Sequence, residues 1–100
     1  MIQRHVYLRL NHEHSGPEAT QVVAEESLKL AAVPGVKRIR IARPVDEGSR
    51  TAWELCLILE FDTMADVEAY VHHPDHRAYV DGFLKPRLQV IKAWNFAVDG

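Results

Sequence analysis

The segment from Tyr70 to His76, YVHHPDH, contains the side chains of this chain best suited to chemistry. It contains three imidazoles and one phenol within seven residues. Histidine is the side chain whose charge changes near neutral pH without any perturbation. An imidazole in a closed site can take a proton from carbon, and a neighbouring phenol can donate to the oxygen on which charge develops. His76 is therefore the candidate general base and Tyr70 the candidate acid or oxyanion donor.

Two other interpretations of this segment stay open from the residues alone. In the first, His76 bonds a backbone carbonyl at a helix junction and Tyr70 packs in the core. In the second, His72 and His76 share a metal ion, since histidines four residues apart on one helix can do so. Pro74 interrupts that helix and no third ligand is evident. We therefore predict no metal and no cofactor.

Size and composition limit the classes of protein to consider. One hundred residues predict a single domain over 1–100, and a net charge of −2 gives no basic surface for nucleic acid. No apolar run approaches the ~20 residues of a membrane helix. Cys56 lies in an apolar run, which predicts a buried, unreactive thiol, and a single unpaired cysteine suits a reducing compartment. We expect a cytoplasmic protein without nucleic-acid or membrane partners.

Hydrophobic periodicity predicts the order β-α-β-β-α-α-β. Alternation of apolar and polar residues indicates four strands, and apolar spacing after a capping or proline residue indicates the helices. The strands are predicted at 2–10, 36–43, 51–61 and 88–98, the helices at 17–32, 63–72 and 74–85, and a mobile loop at 44–50.

This order predicts a ferredoxin-like α+β fold, a four-stranded antiparallel sheet with helices on one face. The uncovered face would present either the row of Trp53, Leu55, Leu57 and Leu59 or the row of Cys56 and Ile58. Neither row is polar enough for open water, and a large apolar patch on a monomer indicates a partner. Symmetric dimers are the commonest oligomers, so we predict a homodimer with sheet facing sheet.

Several segments resemble the stress-responsive A/B barrel (Dabb) domains. The first strand from Ile2 to Leu8, the Pro34-Gly35-Val36 turn, and Glu60-Phe61-Asp62 at the end of the third strand are similar to that family. The pattern Tyr-x-x-His-Pro-x-His at 70–76 is the most specific match. The resemblance covers nearly the whole chain and implies a ferredoxin-like protomer that pairs into a dimeric α+β barrel.

The resemblance also implies roles for individual residues. Many family members have no assigned activity, but one, the plant olivetolic acid cyclase, closes a linear tetraketide by aldol condensation. Its general-base histidine corresponds to His76, its assisting tyrosine to Tyr70, and a first-strand histidine to His5. The predicted ligand-binding positions are His5, His73, Val22, Val23 and Ile39.

This chain departs from the family pattern at two places. Family members often have aspartate before the aromatic residue of the last strand, where this chain has Asn95. If that carboxylate orients the histidine, Asn95 can do so only as a neutral partner. The cyclase has aromatic residues on the first helix where this chain has Val22 and Val23. The pocket is therefore expected to differ in shape.

Two functional hypotheses follow. The first is a homodimeric stress-responsive A/B barrel protein that binds a small apolar or aromatic molecule between sheet and helices, with no assigned catalysis. The second is a cofactor-independent cyclase or lyase of polyketide-like substrates. They differ in what lies beside His76, because an enzyme of the second kind needs a cavity of roughly 300 Å³ or more. A third possibility is a heme-degrading or oxygenase function, as in a neighbouring superfamily of dimeric barrels. We identify no dedicated cofactor residues for it in this sequence.

Overall fold

The computed structural model describes all residues from 1 to 100. Short 3₁₀ turns at His12–His14, Lys29–Ala32 and Lys85–Arg87 join the regular elements, and a π-helical segment spans Tyr79–Leu84. None of the helices is both long and apolar enough to span a bilayer. The regular elements are β1 (Ile2–Leu10), α1 (Pro17–Leu28), β2 (Arg38–Ala42), α2 (Glu47–Ala52), β3 (Leu55–Phe61), α3 (Met64–His72), α4 (Pro74–Ala78) and β4 (Leu88–Ala97).

The four strands form one antiparallel sheet in the order β2-β3-β1-β4. In the centre of the sheet, Val6 of β1 lies opposite Leu57 of β3 on one side and Ala93 of β4 on the other. The helices cover one face of this sheet. The predicted ferredoxin-like α+β fold is confirmed.

The face under the helices forms the core. Because successive side chains of a strand point to opposite faces, residues two apart share an environment. The leucines of β3 lie on the covered face, so the row of Cys56, Ile58 and Glu60 lies on the open one. The strand residues buried under the helices are Val6, Leu8, Leu10, Leu55, Leu57, Leu59 and Phe61.

The open face of the sheet is partly aromatic. Trp94 and Phe96 of β4 are 57% and 50% exposed, and the Phe96 ring centroid lies 5.3 Å from that of His5. Polar groups share this face, including an ion pair at 3.1 Å between Arg40 of β2 and Glu60 of β3. This face is therefore neither fully polar nor fully buried.

The segment before β3 differs from the prediction. Residues 44–50 were expected to form a mobile loop and the strand to start at 51, but Glu47–Ala52 is a helix. The side chain of Asp46 caps it by accepting from the backbone N–H of Ser49 at 2.8 Å. Aspartate at the cap followed by glutamate in the first turn is a helix start signal. The prediction was wrong because it weighted the loop preference of Gly48 and Ser49 over the cap.

The turn after α1 depends on Gly35. Its φ of +93° lies in the left-handed region that side chains other than glycine rarely adopt. A Cβ atom there would lie 3.4 Å from the Cβ of Asp66 on α3. That distance is an ordinary van der Waals contact, so the positive φ of the turn into β2, and not a lack of space, is what favours glycine here.

After the Pro74 break the chain forms a short α-helix and then a π-helical segment. Pro74 occupies the first turn of α4, and the His73 imidazole caps that helix by accepting from the Asp75 N–H at 3.1 Å. The helix predicted to run to Lys85 widens at Tyr79 into the π-helical segment and ends in a 3₁₀ turn. Such π-helical turns are frequent at functional sites.

Candidate functional site

A cavity of about 190 Å³ lies between the sheet and the helices that follow the Pro74 break. Its polar wall consists of Arg4, Tyr70, His76 and Arg77, together with the Tyr79 ring. The sheet, the turn after α1 and the π-helical segment supply most of the apolar wall, which includes Val6, Leu30, Leu57, Leu84, Ile91 and Ala93. The arrangement is an apolar chamber with a few polar groups along one side.

His76 is 9% exposed, and its ring centroid lies 4.4 Å from that of Tyr70. Its Nδ1 lies 2.9 Å from the carbonyl oxygen of Val71. Because a carbonyl oxygen only accepts, Nδ1 carries the proton and Nε2 has a lone pair. Nε2 makes no hydrogen bond within the protein. The backbone bond expected for a structural histidine is therefore present, but it uses only one ring nitrogen.

The helix junction explains why this carbonyl is free. In a continuous helix the Val71 carbonyl would accept from the N–H of Asp75, four residues on. That N–H instead donates to the imidazole of His73. The proline break thus leaves an acceptor that orients His76 from behind.

Burial lowers the pKa of His76, and the nearby positive charges of Arg4 and Arg77 lower it further against the opposing effect of the Val71 hydrogen bond. A neutral imidazole is the form that can accept a proton or a hydrogen bond. At neutral pH the Nε2 lone pair is therefore retained.

Tyr70 is 2% exposed and packs edge-on against Phe61, with ring centroids 5.2 Å apart. Its hydroxyl has no hydrogen-bond partner within the protein, although it lines the cavity. Burial raises the pKa of Tyr70 well above its usual value, so the phenol stays protonated and can donate. The open partner position of this hydroxyl is accessible from the cavity and can be taken by water or by a ligand.

Tyr79 lines the same cavity but its hydroxyl is satisfied. It lies 2.6 Å from the Ser27 Oγ, which in turn donates to the Val23 carbonyl at 2.6 Å. Because the Ser27 proton is used in that second bond, Tyr79 is the donor in the first. Burial raises the pKa of Tyr79 to about 12. Tyr79 is a structural residue of the wall.

Arg4 is the polar residue of the cavity that the sequence prediction missed. Strand alternation puts it in the same row as Val6 and Leu8, so the pattern that predicts β1 also predicts that Arg4 faces the helices. Its Nη1 donates to Asn95 Oδ1 at 3.0 Å. Burial lowers the pKa of its guanidinium, which nevertheless stays charged at neutral pH.

The predicted catalytic pair, Tyr70 and His76, lies together, but the five predicted ligand-binding residues do not line the cavity. His5 lies on the open face, where its Nε2 is 3.0 Å from Gln3 Oε1, and His73 is engaged as the cap of α4. Val22 is exposed on α1, Val23 is buried in the core, and Ile39 packs against the core from the edge strand β2.

The two histidines weighed as metal ligands also separate. His72 donates from Nδ1 to the Glu68 carbonyl at 2.9 Å on the exposed side of α3. No group of three or more His, Cys, Asp or Glu side chains lies close enough together to hold a metal ion.

Comparison with known proteins places this chain among small barrel-forming proteins. The family model of the stress responsive A/B barrel domain matches residues 2–98. None of the curated proteins matches significantly.

Solved structures give the same fold over the whole chain. A Dabb family protein with a ferredoxin-like fold from Mesorhizobium loti is 22% identical, with a TM-score of 0.80 and coverage of 99% of this chain and 97% of that one. A dimeric ferredoxin-like protein of unknown function from Thermobifida fusca is 26% identical, with a TM-score of 0.78 and coverage of 97% and 90%. The hydroxynitrile lyase of Passiflora edulis is 15% identical, with a TM-score of 0.78 and coverage of 98% and 93%.

Proposed function

The chain belongs to the stress-responsive A/B barrel domain family, and we propose that it is a homodimer whose cavities each bind a small apolar or aromatic molecule. The observation that supports binding most strongly is the pair of free polar groups, Tyr70 Oη and His76 Nε2, in one mostly apolar chamber. Apolar walls with a few convergent polar groups are typical of ligand sites.

The open sheet face supports the dimer. It exposes Trp94 and Phe96 beside the partly buried Ile58, and covering these side chains with a second copy would remove apolar area from water. The Thermobifida fusca protein of the same fold is described as dimeric. Pairing through this face leaves the cavity free, since the cavity lies on the helix side.

The cavity volume limits the size of the ligand. At about 190 Å³ it is smaller than the ~300 Å³ at which drug-sized sites begin. A compound with a single aromatic ring suits this space, whereas a folded tetraketide does not. The polyketide-like substrate of our second hypothesis is therefore replaced by a smaller class of molecule.

Titration with benzyl alcohol, followed by ¹⁵N–¹H NMR of the backbone amides, tests binding. We expect shifts confined to residues around the cavity. Ala93→Leu should abolish them by filling the chamber, while the matched Ala97→Leu, on the same strand but exposed outside the cavity, should leave them unchanged. No shifts at all, or shifts confined to the open sheet face, would reject the proposed site.

A second candidate function is cofactor-independent proton transfer on a small carbonyl compound. A neutral imidazole oriented by Val71 and a protonated phenol are the two groups such a reaction needs. A hydroxynitrile lyase has this fold, although its low identity to this chain extends only to the fold. In this reaction His76 Nε2 would take the carbon-bound proton while Tyr70 donates to the developing enolate oxygen.

Exchange of the benzylic protons of phenylacetone in D₂O tests this second function. The wild type should accelerate exchange, because a proton taken by His76 is replaced by deuterium before it returns to carbon. His76→Gln should abolish the acceleration and the exposed His12→Gln should retain it. Acceleration that survives in His76→Gln would exclude His76 as the base.

A further inference from the structure

Resting on the proposed function, we infer that the ligand of the cavity is a small organic acid whose carboxylate binds Arg4. The apolar body of such a molecule would lie against the sheet, and the phenol and imidazole would lie beside its polar end. Arg4 has few partners within the protein, and no carboxylate lines the cavity beside it.

Arg4 is a partly buried cation with few partners. A guanidinium has five N–H donors, yet only Nη1 has a partner, and that partner is the neutral amide oxygen of Asn95. Its Nε is enclosed without any hydrogen bond. Arg4 forms no ion pair within the protein. The enclosed Nε leaves a donor without an acceptor, and a cation that is partly removed from water is stabilised when an opposite charge approaches it.

The cavity wall has a net positive character. Its only charged side chains are Arg4 and Arg77, and no aspartate or glutamate lines it. The Arg77 guanidinium is already paired with the carboxylate of Asp81 at 3.1 and 3.2 Å. Arg4 is therefore the one cation of the wall that a ligand can neutralise.

Charge also selects the side of Arg4 on which an anion would bind. Arg4 separates the cavity from a shallow surface hollow that is lined by Glu68 and His72. The Glu68 carboxylate disfavours a second negative group there. The cavity has no such repulsion, and its low polarity strengthens a charge-assisted hydrogen bond.

Isothermal titration of the full chain with benzoate and with benzamide tests this inference. The two probes have the same ring and nearly the same shape, but only benzoate is charged at neutral pH. We expect the wild type to bind benzoate at least about tenfold more tightly than benzamide, which corresponds to about 1.4 kcal/mol.

Variants assign that preference to Arg4. Arg4→Met should reduce it to no more than about twofold while benzamide still binds, and the exposed Arg50→Met should keep the wild-type ratio. Asn95→Asp is a second test, in which the arginine itself is retained. The new carboxylate would pair with Arg4 in place of the ligand and weaken benzoate binding by about tenfold.

The outcomes separate this inference from the function on which it rests. Equal affinities of the wild type for the two probes, or an unchanged preference in both Arg4→Met and Asn95→Asp, would overturn the role of Arg4 but leave a cavity that binds neutral molecules. Failure of both probes to bind would instead overturn the proposed binding of small aromatic molecules.

Discussion

Tyr70 and Tyr79 line the same cavity, yet only one of them has a satisfied hydroxyl. The Tyr79 hydroxyl bonds Ser27, whereas the Tyr70 hydroxyl has no partner. A polar group that stabilises the fold has its partner within the protein, and one that serves a ligand must keep its partner position open. The two tyrosines are therefore a matched pair for distinguishing structure from function.

Tyr70→Phe is expected to leave the free energy of unfolding within about 0.5 kcal/mol of the wild type, because no hydrogen bond is lost. It should weaken benzoate binding or proton exchange. Tyr79→Phe should cost about 1 kcal/mol, the usual net value of a hydrogen bond. Urea unfolding together with ligand titration measures both effects. A Tyr70→Phe loss as large as that of Tyr79→Phe would contradict a free hydroxyl.

His76 should make stability depend on pH. Burial lowers its pKa in the folded protein, so between that value and the ordinary pKa of about 6.5 the unfolded chain binds more protons. Its contribution to stability is therefore full above about pH 6.5 and decreases as the pH falls below it. The wild type should lose more stability than His76→Gln between about pH 7.5 and 5.5 in urea unfolding. Equal losses would show that His76 titrates normally.

At the scale of the elements, alternation predicted most of the architecture. The period of two located all four strands, and Pro74 located the break between α3 and α4. Helix α2 was not predicted, because the single capping residue Asp46 is a weaker sequence signal than the run of loop-forming residues beside it. The π-helical geometry from Tyr79 depends on packing against the sheet, which local sequence does not encode.

A buried leucine of β3 and an exposed leucine of α1 should tolerate charge differently. Leu57→Asp would bury a carboxylate under the helices without a partner and should cost several kcal/mol, enough to unfold the domain. Leu28→Asp, at the exposed end of α1, should cost no more than about 1 kcal/mol. Thermal unfolding by circular dichroism compares them. If the Leu57→Asp protein folds normally, the side chain at position 57 must lie on the open face of the sheet and not under the helices.

At the scale of the molecule, the sequence predicted that Tyr70 and His76 lie together but not which other residues line the cavity beside them. Tyr70 and His76 meet because a local motif brings them together, and such a motif is readable in sequence. Arg4 lines the same cavity only because α3 and α4 pack over β1, which is distant from them in sequence. His5, one residue further along, was predicted from the family resemblance, although alternation places it on the open face. The same alternation places Arg4 on the face under the helices.

The open sheet face should control the oligomeric state. Trp94→Glu places a charge within the predicted interface and should convert the dimer to a monomer with the cavity intact. Val45→Glu is the control, since Val45 is 81% exposed in the loop between β2 and α2. Sedimentation at micromolar concentration distinguishes the two species. A monomeric wild type, or a dimeric Trp94→Glu protein, would exclude sheet-to-sheet pairing.

The most direct test of the central claim is ¹⁵N NMR of the His76 imidazole, without ligand and with benzyl alcohol. The claim is that a cavity under the helices presents the free Nε2 of His76 to a small molecule. We predict a protonated Nδ1 and an unprotonated Nε2 at neutral pH, with the Nε2 resonance moving as benzyl alcohol is added. A protonated Nε2, or a resonance that does not move at saturating benzyl alcohol, would contradict the claim.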